Sequence, residues 1–242
     1  MTLLSEFIKG LENTMNKRCL LIDFDDTIVD FHDAEAYAFH QLTKKYNLET
    51  DQNDLNQFIT VNQAHWEAFQ QNQLTKTEVL CKRFEVYFDL HQINVNGQEA
   101  DVIFRDELAN APIKYFMNTV ETLSMLKNTH DLYIVTNGVL ETQQRRIAKT
   151  EMGDWFKGVF VSEQTGYQKP MPEFFDFVFN KIGHDKRAHA MIVGDSITSD
   201  ILGGKNAAIK TCWFNPRNKI NDTEINPDYT IESLDQLLDI AK

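Results

Sequence analysis

Three cysteines in 242 residues, far apart at Cys19, Cys81 and Cys212, leave no disulfide framework and no CxxC pair for metal or redox work. They read as packed thiols in a reducing compartment. Positive charge is scarce as well: 24 Lys and Arg face 36 Asp and Glu, a formal net charge of −12. That balance disfavours nonspecific binding to a nucleic-acid polymer or an anionic membrane. No apolar run approaches the ~18 residues of a membrane span, and the first residues lack the basic flank and apolar block of a secretory signal. There is no internal repeat and no low-complexity linker. Gly203-Gly204 has no GxxxxGK[ST] around it, so tight helix packing is expected there and not a phosphate loop. A cytoplasmic enzyme fits these absences, and an anionic substrate would need a local lysine or metal ion to draw it in.

The bulk that remains is ordinary: 42% apolar and 25% charged, enough to bury a full core or a core carrying an insertion. The informative stretch is Cys19-Leu20-Leu21-Ile22-Asp23-Phe24-Asp25-Asp26-Thr27. Its apolar run is too short for a helix and reads as a buried strand. It ends in three carboxylates and a hydroxyl, which are costly to bury without a cation and hydrogen bonds. In an open α/β sheet that is where ligands bind, at the carboxyl ends of the strands.

Before this strand, residues 1–16 put Leu3, Leu4, Phe7, Ile8 and Leu11 on one helical face. After it, residues 33–109 are helical in period. Leu55, Phe58, Ile59, Asn62, Trp66 and Phe69 share one face, and Leu80, Phe84, Tyr87 and Phe88 another. Asp33, Asp54, Thr75 and Asn96 stand where caps are expected. Four such helices make a small bundle with its own core. From Pro112 strand and helix alternate. Strands are expected at 132–135, Gly158–Val161, 190–193, 211–214 and Tyr229–Ile231. Helices are expected between them, with Pro172 opening one and Arg145 and Arg146 on a solvated face of another. The pattern predicts an α/β fold, a doubly wound, Rossmann-like parallel sheet. The core would comprise residues 1–30 and 112–242, and an inserted all-α cap residues 31–111.

Several strand ends and loops then offer matching groups: Asp23 and Asp25, Thr136 and Asn137, Lys169, and Asp195 with Asp200. Taken singly, each is an unremarkable turn or surface residue. Taken together, carboxylates converging with one lysine and a hydroxyl suit a hard divalent cation bridging to a phosphate.

These residues resemble the four motifs of the haloacid dehalogenase-like hydrolase superfamily, and the insertion resembles its C1 cap. Longer strings are similar to the YjjG/YfnB-type pyrimidine 5′-nucleotidases: Val61-Asn62-Gln63 through Trp66 to Arg83-Phe84-Glu85, and Ser199-Asp200-Ile201-Leu202-Gly203-Gly204 with Thr211-Cys212-Trp213. The resemblance implies a phosphatase in which Asp23 is the nucleophile and Asp25 the general acid and base. Thr136, Asn137 and Lys169 would bind the phosphoryl group. Mg²⁺ would be held by Asp23, the Asp25 carbonyl and Asp195, with Asp200 behind them. Asp26 receives no catalytic role. The substrate would be a nucleoside monophosphate and the protein a monomer or homodimer, with discrimination in the cap, where Trp66 or Phe69 either stacks on a base or packs in the bundle. The alternatives are a phosphatase or phosphomutase for sugar phosphates and, more remotely, a phosphorylated signalling receiver.

Overall fold

The structure, a computed structural model, describes residues 18–241; the helix expected over residues 1–16 lies outside them. The longer helices are α1 (Phe31–Lys45), α2 (Gln52–Gln70), α3 (Lys76–Leu90), α4 (Gly97–Asn110), α5 (Thr119–Thr129), α6 (Leu140–Ala148) and α7 (Pro172–Ile182). The strands are β1 (Arg18–Ile22), β2 (His130–Thr136), β3 (Gly158–Val161), β4 (Ala190–Gly194), β5 (Lys210–Phe214) and β6 (Tyr229–Ile231). Two compact units result. An α/β unit takes Phe116–Thr136 and the described residues of Met1–Ile28 and Met152–Lys242; a helical unit takes Val29–Tyr115 and Asn137–Glu151.

In the α/β unit all six strands are parallel, in the order β3-β2-β1-β4-β5-β6. Successive strands move away from β1 on one side and away from β4 on the other, so the crevice at the carboxyl ends of this pair is the topological switch point. β1 has no polar face because both faces are covered. Cys19 and Leu21 join a core with Val135, Ile192 and the α7 residues Phe174, Phe175, Val178 and Phe179, while Leu20 and Ile22 are buried on the other face. Gly204 lets a helix lie directly on the sheet: a Cβ there would fall 2.5 Å from Ile192 and 2.6 Å from Thr211. The expected tight packing is what this glycine provides.

The helical unit is built around Phe58, whose ring centroid lies 5.1 Å from Phe39, 5.4 Å from Phe104, 5.5 Å from Tyr87 and 5.8 Å from Phe84. Such pairs add to the area they bury. Helix starts follow capping chemistry, though one turn earlier than expected at two places. Asp51 caps α2, with Asp54 returning the bond to the Asp51 amide. Asp30 occupies the cap position of α1 and leaves Asp33 in its first turn. Thr75 and Asn96 cap α3 and α4 as expected. α6 packs against α4, joined by Arg145 to Asp106 at 2.8 Å and by Lys149 to the carbonyls of Ala109, Asn110 and Ala111. Arg146 is not on a solvated face. It is 1% exposed, donates to Gln143 at 3.2 Å and lies 5.4 Å from the Phe31 ring, because α6 is covered where its polar sequence predicts exposure.

A buried polar chain crosses this unit. Asn62 Nδ2 donates to Glu35 at 2.5 Å, Arg83 donates to Asn62 at 2.8 Å and to Asp101 at 2.7 Å, and Arg105 reaches the second Asp101 oxygen at 2.6 Å. The strings that resembled nucleotidases at Asn62 and Arg83 thus meet each other inside the bundle. Trp66 lies beneath two cations, 4.6 Å from Lys76 and 5.8 Å from Arg83, with Phe69 edge-on at 5.9 Å.

Candidate active site

β1 ends at Ile22, and the next residue, Asp23, donates its amide to the Val193 carbonyl of β4 at 2.9 Å. The backbone therefore stays tied to the sheet for one residue more, and the Asp23 carboxyl stands at the switch point. Ile28 N–H bonds to Phe24 O at 3.0 Å, closing a single turn that carries Asp25, half-buried, two residues after Asp23. Asp26 is left-handed at φ 54°, a conformation that Asp tolerates better than most residues. Its carboxylate takes a bond from Arg217 at 3.1 Å.

Lys169 is the centre of the arrangement. Only 2% exposed, its ammonium donates to Asp23 Oδ1 at 2.7 Å, Asp200 Oδ1 at 2.7 Å and the Val135 carbonyl at 2.9 Å. Three donors thus meet three acceptors, the full capacity of a lysine. Asp200 is held from its other oxygen by the Ser196 amide at 3.1 Å, within a π-type turn over Ile197–Ile201, a device common near functional sites. The glycine ending β4 makes room for it: a Cβ on Gly194 would fall 2.2 Å from the Asp200 carboxyl carbon. Asp195 follows directly, its main-chain carbonyl accepting from Trp213 at 2.9 Å and its Oδ2 from Lys219 at 3.1 Å. Thr136 is buried at the end of β2, opposite Val161 of β3. Asn137 is the next residue and falls in the helical unit.

Electrostatically the cluster is strained toward a cation. Burial pushes the Asp23 carboxyl well above the usual carboxylate range; Lys169 opposes the rise, and Asp200 and Asp25 add to it. Burial likewise lifts Asp195 to about 7, against Lys219 and with the help of Asp26 and Asp200. Burial acts to lower the Lys169 pKa, but Asp200 and Asp23 outweigh it and the pKa rises.

The family model of the haloacid dehalogenase-like hydrolases matches residues 17–208, from the start of β1 past Asp200. The chain belongs to this hydrolase family. YfnB of Bacillus subtilis is 40% identical over 223 residues, covering 92% of this chain and 94% of its own. Pyrimidine 5′-nucleotidase PynA of Streptococcus pneumoniae is 33% identical over 228 residues, covering 91% and 93%. Pyrimidine 5′-nucleotidase YjjG of Escherichia coli is 28% identical over 220 residues, covering 90% and 95%. The crystal structure of YfnB bound to magnesium aligns with a TM-score of 0.88 at 39% identity, over 94% of this chain and 99% of that one.

The residues of this haloacid dehalogenase-like hydrolase fit a hard divalent ion. One carboxylate oxygen from each of Asp23, Asp195 and Asp200 lies within 4.8 Å of the others. An all-oxygen donor set of this kind suits Mg²⁺, and the raised Asp23 and Asp195 mark negative charge that the two lysines meet only in part. Two cations to which the sequence analysis assigns no role, Arg217 and Lys219, reach Asp26 and Asp195. They follow the carboxyl end of β5, and that position was the signal, since loops at this end of a parallel sheet line the site.

Proposed function

We propose that this protein is a Mg²⁺-dependent phosphomonoesterase that hydrolyses nucleoside 5′-monophosphates, pyrimidine ones foremost, through an aspartyl-phosphate. The observation that carries the reading is Asp23, held by a buried lysine that Asp200 holds in turn, with Asp25 two residues further along the same turn. PynA and YjjG, matched along about nine-tenths of this chain, support the substrate class.

Asp23 attacks phosphorus, and the bond to the leaving alcohol oxygen breaks as Asp25 gives that oxygen a proton. Asp25, now a carboxylate, takes a proton from water while the water oxygen attacks phosphorus. The bond to Asp23 breaks, phosphate leaves, and both carboxyls return to their starting states. The Thr136 hydroxyl and the Asn137 amide bind phosphoryl oxygens, and Lys169 offsets their charge. Asp23, the Asp25 main-chain carbonyl and Asp195 would hold Mg²⁺, with Asp200 serving chiefly to fix Lys169. When bound, the ion lowers the cost of bringing an anionic ester up to carboxylates. None of these groups distinguishes one alcohol from another, so discrimination falls to the inserted residues 31–111, which we read as the cap. A reducing, cytoplasmic setting agrees with three free thiols, of which Cys19 and Cys212 are buried and pushed up to about 12.

Phosphate release from a panel of nucleotides and sugar phosphates, with Mg²⁺ and with EDTA, tests the reading. The highest kcat/KM is expected on pyrimidine monophosphates, with loss of turnover in EDTA. A sugar phosphate at the head of the ranking would favour the alternative substrate class, and full turnover in EDTA would remove the metal.

A further inference from the structure

The helical unit holds one basic side chain where a helix ordinarily repels it. Lys76 is the first residue of α3, at the end made positive by unpaired amides and the macrodipole. That end is already satisfied by the reciprocal capping box of Thr75 and Glu78, so the helix gains nothing from a lysine there. The ammonium instead donates to the main-chain carbonyls of Asn137 and, at 3.2 Å, Gly138. Trp66 at 4.6 Å and Phe69 at 5.2 Å roof it, confining the cation between two rings and two carbonyls.

Those carbonyls belong to the turn that leaves Thr136. We propose that Lys76 is a positioning residue of the phosphate-binding turn. It fixes the 137–138 and 138–139 peptide units by their oxygens, and so restrains, from the far side of the Asn137 Cα, the turn that presents the Asn137 amide. This rests on the reading of Thr136 and Asn137 as phosphoryl contacts given above. Peptide units are planar, so holding two successive carbonyls removes most of the freedom of a short turn. The tie matters because residue 138 is glycine, which gives a turn more conformational freedom than any other residue. The glycine lets the Gln143 side chain approach closely, since a Cβ would fall 2.7 Å from it. The insertion thereby acts on how tightly phosphate is held, without touching the phosphate.

Inorganic phosphate is the right probe, because it engages the phosphoryl contacts and carries no base or sugar. Its binding in saturating Mg²⁺ is measured by calorimetry, and its inhibition constant against p-nitrophenyl phosphate by kinetics, for wild type, K76M, K76Q, K76R and T136A. K76M and K76Q are expected to weaken phosphate about tenfold, the loss of a charged hydrogen bond, and to raise KM by a similar factor with an unchanged unfolding midpoint. K76R, which keeps a cation, should stay within about threefold of wild type. If K76M or K76Q binds phosphate within twofold of wild type while T136A loses it, Lys76 does not position the turn. If K76R is as weak as K76M although folded, the cation is not what matters and the inference also falls. If T136A leaves phosphate binding intact, the phosphoryl reading itself is wrong, and the two failures are thereby told apart.

Discussion

Each unit buries a basic side chain among acidic and polar ones, and the two arrangements differ in what is left over. In the helical unit, Arg83 is 2% exposed and bonded to Asn62 and Asp101, whose remaining atoms go to Glu35 and Arg105. In the α/β unit, Lys169 is equally buried between Asp23 and Asp200, with Asp195 close by and both Asp23 and Asp195 pushed upward by burial and, secondarily, by Asp200. The first set balances two cations with two carboxylates, although Arg83 Nε is buried without a partner; the second keeps a surplus of negative charge at a strand end. A charge-balanced buried network specifies packing, whereas a surplus held in place calls for a ligand.

Breaking the comparison at its most active point gives the largest effect. Asp23→Asn should fold as wild type and lose kcat by at least about 10⁴-fold, which is more than 5 kcal/mol of transition-state stabilisation. Steady-state kinetics alongside circular dichroism reads both, and retention of a few per cent of activity would end the covalent mechanism. Next is Arg83→Met, which strands Asp101 and Asn62 in the interior. A destabilisation of about 3–5 kcal/mol is expected in urea unfolding, and a change under 1 kcal/mol would show that the charge-balanced network contributes little to stability. Asp195→Asn sharpens the contrast. It should weaken Mg²⁺ by roughly 100-fold in calorimetry while leaving the urea midpoint nearly unchanged. A parallel loss of stability would make the cluster structural, like its counterpart.

The smallest effect lies away from both clusters, at Asp228. Its carboxylate accepts from Thr211 N–H and Oγ1 and pairs with Lys205 and Lys210 at 3.0 Å each. Burial acts against ionisation, yet these bonds win and hold the carboxyl well below the usual range. A depressed pKa contributes stability that is present above the unfolded value, about pH 4, and lost as pH falls through the folded one. Asp228→Asn should cost about 1 kcal/mol near neutrality, since the site is partly open to water. It should also flatten the decline in stability below about pH 4. An equally steep acid decline in the variant would place the coupling elsewhere.

The strands and the strand-end carboxylates were legible in the sequence because both rest on local pattern, whereas the order β3-β2-β1-β4-β5-β6 was not. Apolar runs of four residues, at 19–22, 132–135 and 190–193, define β1, β2 and β4, and the polar or glycine residues that stop such a run mark its carboxyl end. Burial of polar side chains was not legible. Arg146 was expected on a solvated face and is buried, and Arg83, which no periodicity marks as buried, bonds to Asn62 across 21 residues. Arg217 meets Asp26 across 191 residues. No periodicity reports such encounters. Cap positions slipped by one turn at Asp51 and Asp30 because Asp54 and Asp33, also acidic, favour the same helix end.

The placement of β1 also sets an order of events during synthesis. Ile22 pairs on one side with Ile134 and on the other with Val193. At ordinary elongation rates of about 5–20 residues per second, the second partner leaves the ribosome roughly 10–30 s after the first residues of β1. The strand has two open edges until Ile134 emerges, its acidic tip lacks Lys169 for some 35 residues more, and one edge stays open until Val193. The carboxyl proposed as the nucleophile is thus made well before the groups that hold it. A nascent chain halted before Ala190 should be inert toward phosphate esters and prone to chaperone capture through β1.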